Sequence, residues 1–448
     1  MKYIEEFLKK EKPSGYYNKL LEELGGLNRK FGAFNFINKQ ISAGFPMSVK
    51  DNICVKGMET TASSKILKGY IPPFSATVIK RLEKEGFSIL GKTNMDEFGF
   101  GSFGINSETP AKNPFDETRV AGGSSSGAAI ATAILKYHVA VAESTGGSIA
   151  APASFCGVVG FTPTYGLISR YGLIDYSNSL DKIGFMSRSS EDIRTLMGKS
   201  IGKDPADTTS VNAVLNNVSK QRLVIVDELY SKIDKNIKSS FDNTVKKLSS
   251  AGFKIEHLSI PEIDYSIPVY YIISMAEAST NLAKFTGFKY GLKVDDFSKG
   301  YNDFFTEARE AFGEEAKRKI LLGTFIRGAS VRSKYYEKAL KIRRVIKDKM
   351  SSFLKDSFII SPTMPVIAPT IKEAQSFTPL QNYSMDLLTI PSNLCGFPSI
   401  SLPSDYLNGL PVGIQITGGQ FEDMGLVSFG EEWEKSFKYN FKYNLGDL

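Results

Sequence analysis

Two serine- and glycine-rich clusters contain the residue types that hydrolytic chemistry needs. The first covers residues 122–127 and contains Ser124, and the second covers 145–148 and ends at Ser148. A serine nucleophile needs a base that removes its proton and donors that stabilise the tetrahedral oxyanion. The donors would be the backbone N–H groups of Thr145, Gly146 and Gly147. The clusters thus predict a serine-centred site, although an isolated Gly-Gly-Ser turn is more often a surface linker.

The base for such a serine is predicted to be a lysine, because the chain is poor in histidine. The only two histidines are His138, in a predicted buried strand, and His257, near a predicted strand end. A Ser-His-Asp triad or a His-ligated metal is therefore not favoured. Lys50 could be the base if it is buried without a carboxylate partner, since desolvation lowers the pKa of a lysine. Ser124 would then relay the proton from Ser148 to Lys50.

The segments around the two clusters predict packed elements. Residues 128–135 are rich in Ala and Ile and predict a buried helix, and residues 137–142 predict a buried strand. Residues 149–155 predict a short helix directly after the second cluster. These apolar flanks weaken the interpretation of the clusters as linkers.

Helix and strand patterns alternate along much of the chain and predict an α/β fold. A helix followed by a strand at 87–90 is typical of a largely parallel sheet. Residues 1–30 predict a helical packing arm whose two short helices break at 13–15 and 25–26, and residues 262–355 predict a mostly helical insertion. We expect one domain over the whole chain.

Composition excludes several classes of protein. The 448 residues are 42% hydrophobic and contain no apolar run long enough for a membrane span, so we expect a soluble, cytoplasmic protein. The net charge of +7 is modest, and the basic residues fall mostly on predicted helix faces. Three widely separated cysteines predict neither disulfides nor a zinc site. Residues 91–93 with Gly86 fit the spacing of a P-loop. A P-loop follows its strand, however, whereas Gly86 precedes the predicted strand at 87–90, so we do not expect nucleotide binding there.

From about residue 44 to residue 418, the sequence resembles the amidase signature family. Lys50, Ser124 and Ser148 match the lysine, cis-serine and nucleophile of that family, and the two serines stand 24 residues apart as they do there. Four longer strings, which are more specific than any Gly-Ser cluster, resemble the A subunits of glutamyl/aspartyl-tRNA amidotransferases. They lie at residues 48–53, 91–98, 204–207 and 321–325.

The resemblance implies a fold, an activity and partners. The fold would be a large mixed, mostly parallel β-sheet sandwiched by helices. The chain would hydrolyse glutamine through an acyl-Ser148 intermediate and pass ammonia to a partner that amidates Glu-tRNA(Gln) or Asp-tRNA(Asn). The expected complex contains B-type and C-type subunits, binds the mischarged tRNA and involves no membrane. We expect neither cofactor nor metal in this chain, and ATP with Mg²⁺ in the partner subunit.

The resemblance also implies how glutamine is held. An acid that binds its α-ammonium group matches Asp386. The base that binds its α-carboxylate falls at Arg318 or Lys319, and the sequence leaves that choice open. An arginine would pair with the carboxylate through two hydrogen bonds, whereas a lysine would act as a point charge.

Two positions depart from the usual family pattern around the nucleophile. Ser144 stands where an Asp usually precedes the Thr-Gly-Gly, and Ala150 stands where an Arg usually follows the serine. Loss of both residues together removes an ion pair without leaving a lone buried charge. Two alternatives therefore stay open beside the glutaminase subunit, namely a stand-alone amidase for small amides and an assembly subunit with a weakened site.

Overall fold

The computed structural model describes residues 3–294, 298 and 300–437. Within this part of the chain, thirteen strands form one sheet of eleven strands and one ribbon of two. The strands are β1 (Phe34–Ile37), β2 (Phe45–Lys50), β3 (Phe87–Thr93), β4 (Lys112–Asn113), β5 (Asp116–Val120), β6 (Val139–Ser144), β7 (Val159–Thr162), β8 (Lys182–Ser187), β9 (Arg222–Val226), β10 (Lys254–Leu258), β11 (Phe358–Pro362), β12 (Ser399–Leu407) and β13 (Leu410–Thr417).

The large sheet is mixed, as predicted. Its strand order is β1-β3-β2-β6-β8-β7-β12-β13-β11-β9-β10. Parallel pairs join β3, β2 and β6 on one side of the sheet and β11, β9 and β10 on the other. The pairs from β6 through to β11 are antiparallel, and so is the edge pair of β1 with β3.

Helices cover both faces of the sheet, which confirms the predicted layers. In β9, Leu223 and Ile225 contribute to one buried apolar cluster, whereas Val224 and Val226 contribute to another. Because successive side chains of a strand point to opposite faces, the two clusters lie on opposite sides of the sheet. Each cluster buries the apolar side of a helical layer.

The α-helices precede, connect and follow these strands. They are α1 (Tyr3–Lys9), α2 (Tyr16–Phe31), α3 (Thr77–Lys84), α4 (Ser126–Ile134), α5 (Ala150–Phe155), α6 (Ser190–Ser200), α7 (Asp227–Tyr230), α8 (Lys235–Ser250), α9 (Ser266–Asn281), α10 (Tyr301–Glu310), α11 (Glu314–Arg327), α12 (Lys338–Phe353), α13 (Ile371–Ser376), α14 (Pro379–Ser384), α15 (Ile390–Cys395) and α16 (Asp423–Ser436). No helix in the described ranges is long and apolar enough to cross a membrane.

The prediction of a helix break at Gly25 and Gly26 was wrong, because α2 continues through both glycines. Leu20, Leu24 and Phe31 are buried on one side of this helix. Burial of these side chains outweighs the cost of about 1 kcal/mol that each glycine adds to a helix interior.

Two neighbouring parallel strands deliver the candidate site residues to one edge of the sheet. β2 ends at Lys50 and pairs in parallel with β6, which ends at Ser144 directly before the second Ser-Gly cluster. The strand predicted at 137–142 is β6, which begins and ends two residues later than predicted. The helices predicted before and after it are α4 and α5. Since parallel strands share the direction of their carboxyl ends, Lys50 and the second cluster meet.

Candidate active site

Lys50 lies at the end of β2 with its amine fully buried, as the sequence predicts for a base. Its Nζ lies 2.8 Å from Ser124 Oγ and donates to the backbone carbonyl of Glu143 at 2.9 Å. Burial lowers the pKa of Lys50, since the charged form loses its hydration. A lysine in this setting can exchange a proton with the Ser124 hydroxyl.

The condition set for Lys50 as a base, burial without a carboxylate partner, is met only in its first part. The Glu143 side chain enters the site from β6, and its Oε2 lies 2.9 Å from Lys50 Nζ. Both side chains are almost completely buried, with exposed fractions of 0% and 1%. Glu143 opposes the effect of burial on the pKa of Lys50 without reversing it. The amine is therefore held between a hydroxyl and a carboxyl group.

Ser124 is fixed by the backbone of the first cluster. The peptide bond between Gly123 and Ser124 is cis, and the Ser124 carbonyl accepts a hydrogen bond from the Asp96 N–H at 3.1 Å. A Cβ atom at Gly123 would lie 2.0 Å from Asp96 Oδ2, so that position accommodates glycine alone. Backbone and carboxylate together position the Ser124 hydroxyl against Lys50.

The second cluster brings Ser148 next to the first. The Ser148 carbonyl accepts a hydrogen bond from the Ser125 N–H at 3.2 Å, and the Ser148 side chain is 7% exposed. Within the described part of the chain, the N–H groups of Gly146 and Gly147 donate no hydrogen bond. Ser148 thus reaches the surface of the site beside two available donors, whereas Ser124 is fully buried.

Asp386 lies directly against the second cluster. Its Oδ1 is 3.0 Å from the place that a Cβ atom on Gly147 would occupy. Its Oδ2 accepts hydrogen bonds from Ser102 Oγ at 2.7 Å and from the Tyr271 hydroxyl at 3.2 Å. Burial raises the pKa of Asp386 to about 6, although both hydrogen bonds act to lower it. The structure therefore places a buried acid beside the candidate nucleophile.

Of the two candidate bases on α11, Lys319 is buried and Arg318 is exposed. Arg318 keeps 44% of its side chain exposed and pairs with Glu315 on the helix surface. Lys319 is 2% exposed, and its Nζ lies 4.9 Å from the centroid of the Tyr271 ring, which also contacts Asp386. Burial acts to lower the pKa of Lys319, but Tyr176 and Glu315 together raise it above its ordinary value. Lys319 Nζ lies 3.4 Å from Glu315 Oε1, and its charge also acts to lower the pKa of Asp386.

The family of the chain follows from comparison with known proteins. The model of the amidase family matches residues 37–427, which is most of the chain. The chain belongs to the amidase family. Its buried lysine, its two serines and the cis bond before the first serine lie inside the matched region.

Relatives within the amidase family are similar over nearly their full length. The chain is 40% identical to the A subunit of glutamyl-tRNA(Gln) amidotransferase from Pseudothermotoga lettingae, over 98% of this chain and 96% of that protein. It is 41% identical to the protein of the same name from Sulfolobus acidocaldarius, over 95% and 93%. The crystal structure of the Thermotoga maritima protein of that name superposes with a TM-score of 0.82 at 36% identity, over 98% of this chain and 95% of that one.

The two positions that depart from the usual amidase pattern carry neutral side chains. Ser144 Oγ donates to the Gly146 carbonyl at 2.9 Å and accepts from the Asn393 side-chain amide at 3.1 Å. Ala150 is 5% exposed and packs in the core. Hydrogen bonds of the Ser144 hydroxyl thus support the second cluster without a charged side chain at either position.

Sequence reasoning missed Glu143, together with Asp181, whose carboxylate shares a hydrogen-bond partner with it. A signal for Glu143 was present, because a lone acid in the otherwise apolar strand β6 requires a buried partner. Asp181 carried no comparable signal, since it precedes β8 in a polar loop. In the described ranges, no group of three or more His, Cys, Asp and Glu side chains could hold a metal ion.

Proposed function

We propose that this chain is the glutaminase subunit of a tRNA-dependent amidotransferase. The relatives that are A subunits of glutamyl-tRNA(Gln) amidotransferases support the assignment through their identity over nearly the whole chain. The observation that carries it is the buried acid Asp386 against Gly147 of the second cluster, together with the buried cation Lys319, whose charge acts to lower the pKa of Asp386. A free amino acid carries one charge of each sign on its α-carbon, which is what such a pair complements.

In the proposed reaction, Ser148 Oγ attacks the side-chain amide carbon of glutamine. Its proton passes to Ser124 Oγ, while the Ser124 proton passes to Lys50 Nζ across the 2.8 Å contact. The N–H groups of Gly146 and Gly147, with that of Thr145, stabilise the oxyanion. Lys50 then returns a proton through Ser124 to the leaving nitrogen, and ammonia departs. Water hydrolyses the acyl-Ser148 ester by the same route and releases glutamate.

Glutamine specificity is assigned to Asp386 and Lys319. The Asp386 carboxylate would bind the α-ammonium group and the Lys319 ammonium group the α-carboxylate. The rings of Phe100, Tyr176 and Tyr383 lie within 5.3–5.6 Å of Lys319 Nζ and help to keep this cation in place after its burial.

Replacement of Lys319 by methionine should weaken glutamine use, whereas the same change at Arg318 should not. Loss of a buried charge that contacts substrate is expected to lower kcat/KM for glutamine by about a hundredfold. Arg318→Met is the matched control, since an exposed ion pair contributes little and should leave kcat/KM within about twofold. Steady-state glutaminase assays measure both, and a larger loss in Arg318→Met would reverse the assignment.

The function as a whole is tested in the assembled complex. The expected partners are a B-type subunit that binds ATP, Mg²⁺ and mischarged tRNA, and a C-type subunit. After co-expression of the three chains, amide-labelled glutamine should transfer its label to Glu-tRNA(Gln) or Asp-tRNA(Asn) in an ATP-dependent reaction. No label transfer despite a stable complex would reject the proposal. Amide turnover by the isolated chain with no gain from partners would point to a stand-alone amidase.

A further inference from the structure

Glu143, Thr145 and Asp181 form a buried row of hydrogen-bonding groups that ends at Lys50. The Thr145 hydroxyl lies 2.7 Å from Glu143 Oε1 and 2.8 Å from Asp181 Oδ1. A hydroxyl has one hydrogen and can donate it to only one of these oxygens. In a site with exposed fractions of 1% or less, the second contact needs a hydrogen of its own. That hydrogen must come from a protonated carboxyl group.

The other contacts of the two carboxyl groups show which oxygen carries this proton. Glu143 Oε2 accepts from Lys50 Nζ at 2.9 Å and from the Asn52 side-chain amide at 3.1 Å. Asp181 Oδ2 accepts from the backbone N–H groups of Tyr176 and Ser177, both at 2.9 Å. Asp181 Oδ1 also accepts from the Ser177 N–H at 3.0 Å, which leaves it one lone pair for Thr145. Each carboxyl group therefore turns toward Thr145 an oxygen that can take up a proton. Burial, and then the proximity of Glu143, raise the pKa of Asp181 well above its ordinary value.

We infer that Glu143 and Asp181 share one proton and that Thr145 passes it between them. The inference rests on the proposed roles of Ser148 and Lys50. When Lys50 is neutral, Glu143 Oε1 holds the proton and donates it to Thr145, and Thr145 donates to Asp181. The two amine hydrogens of Lys50 then point to the Glu143 carbonyl and Oε2, which leaves the lone pair facing Ser124 Oγ at 2.8 Å.

When Lys50 accepts a proton from Ser124, two protons move along the row. Glu143 releases its proton to Thr145 Oγ, and Thr145 gives its own hydrogen to Asp181 Oδ1. No proton enters or leaves the three residues, and the negative charge moves from Asp181 to Glu143. Glu143 is thus neutral beside the amine and negative beside the ammonium group.

This shift allows a lysine with a carboxyl partner to work as a base. A permanently ionised Glu143 would favour the ammonium form and hold Lys50 protonated before the reaction begins. A permanently neutral Glu143 would leave the new ammonium group without a counter-charge in a buried site. Glu143, Thr145 and Asp181 are therefore positioning residues that act through Lys50.

Thr145→Val removes the hydroxyl while it keeps the side-chain shape and the backbone N–H. Acylation of Ser148 by a small reactive ester, followed by stopped-flow release of the leaving group, should slow by at least about tenfold. Thr145→Ser restores a hydroxyl and should recover most of that rate. A Thr145→Val rate within about twofold of the unmodified chain, or no recovery in Thr145→Ser, would overturn the inference. The ester needs neither glutamine nor partner subunits, so this result is independent of the transamidation test.

Infrared difference spectra between the unmodified chain and each of two further variants test the shared proton directly. They do not depend on the folding of Thr145→Val. The carbonyl stretch of one protonated carboxyl group should disappear in Glu143→Gln and also in Asp181→Asn. In each variant the new amide donates to Thr145, so the remaining acid can ionise. Loss of the band in only one of the two variants, or in neither, would overturn the inference. Ser148→Ala, which leaves the row intact, should retain the band.

Discussion

Replacement of Lys50 by methionine is expected to slow acylation of Ser148 by about a thousandfold. Methionine fills much of the same space but cannot accept the proton that leaves Ser124. The loss should appear in kcat and in kcat/KM alike, because the proton transfer belongs to the chemical step. Acylation by a small reactive ester and glutamine hydrolysis should fall together, since both use the same nucleophile.

Lys92→Met is the matched control for this prediction. Lys92 is also fully buried and contacts a carboxylate, with its Nζ 3.4 Å from Asp51 Oδ1, but it contacts none of the three proposed catalytic side chains. Loss of either lysine costs unfolding free energy: about 3–5 kcal/mol for the buried ion pair of Lys92, and about 1–3 kcal/mol for the buried hydrogen-bond partners that a neutral Lys50 leaves unpaired. Thermal melts should show that loss in both variants, whereas the folded fraction of Lys92→Met should acylate at the normal rate. Equal rate losses in both variants would mean that Lys50 acts only on the fold.

The sequence was informative where local pattern determines the structure. The buried run 128–135 and the short helix at 149–155 appear as α4 and α5 within two residues of their predicted limits. Both segments combine apolar residues with a Ser-Gly turn at one end, and that pattern determines where an element begins. The mixed sheet and its two helical layers follow from the alternation of such units.

The pairing of Lys50 with Glu143 could not be predicted from the local sequence pattern. The two residues are 93 positions apart, and their contact depends on the neighbouring positions of β2 and β6 in the sheet. Strand order is set by packing of the whole domain, which the sequence of neither strand contains. A buried acid in β6 could have been suspected, but its partner could not have been named.

The choice between Arg318 and Lys319 shows a second limit. Successive residues of an α-helix point about 100° apart, so the side that faces the core decides which cation is buried. Gly323 fixes that side in α11, because a Cβ atom there would lie 1.9 Å from the Met275 carbonyl of α9. Lys319, four residues earlier, lies on the same helix face. The contact with α9 cannot be read from the sequence of α11 alone.

Asp386→Asn is expected to reduce kcat/KM for glutamine by about a hundredfold and to affect a small reactive ester much less. Asparagine keeps the shape and can still hydrogen bond to Ser102, but it offers no charge to the α-ammonium group. The pKa of about 6 adds a test in the unmodified chain. As the pH falls below about 6, Asp386 gains a proton and its charge is lost, so kcat/KM for glutamine should decline on this acidic side. The part of the acidic decline that Asp386 causes should be absent from glutamine hydrolysis in Asp386→Asn, whereas the decline caused by protonation of Lys50 should remain and should also appear with the ester.

The control for Asp386→Asn is the same change at Asp423. Asp423 is also buried, accepts hydrogen bonds from the Thr164 N–H and hydroxyl at 2.8 and 2.6 Å, and contacts none of the proposed site residues. Asp423→Asn removes a buried charge at a distance from the site and should leave the ratio of glutamine to ester rates unchanged, whatever its effect on stability. If Asp386→Asn slows both substrates equally, Asp386 supports the fold and does not select glutamine. A selective loss of glutamine use would instead place the α-ammonium group on Asp386, with Lys319 left as the buried cation for the α-carboxylate.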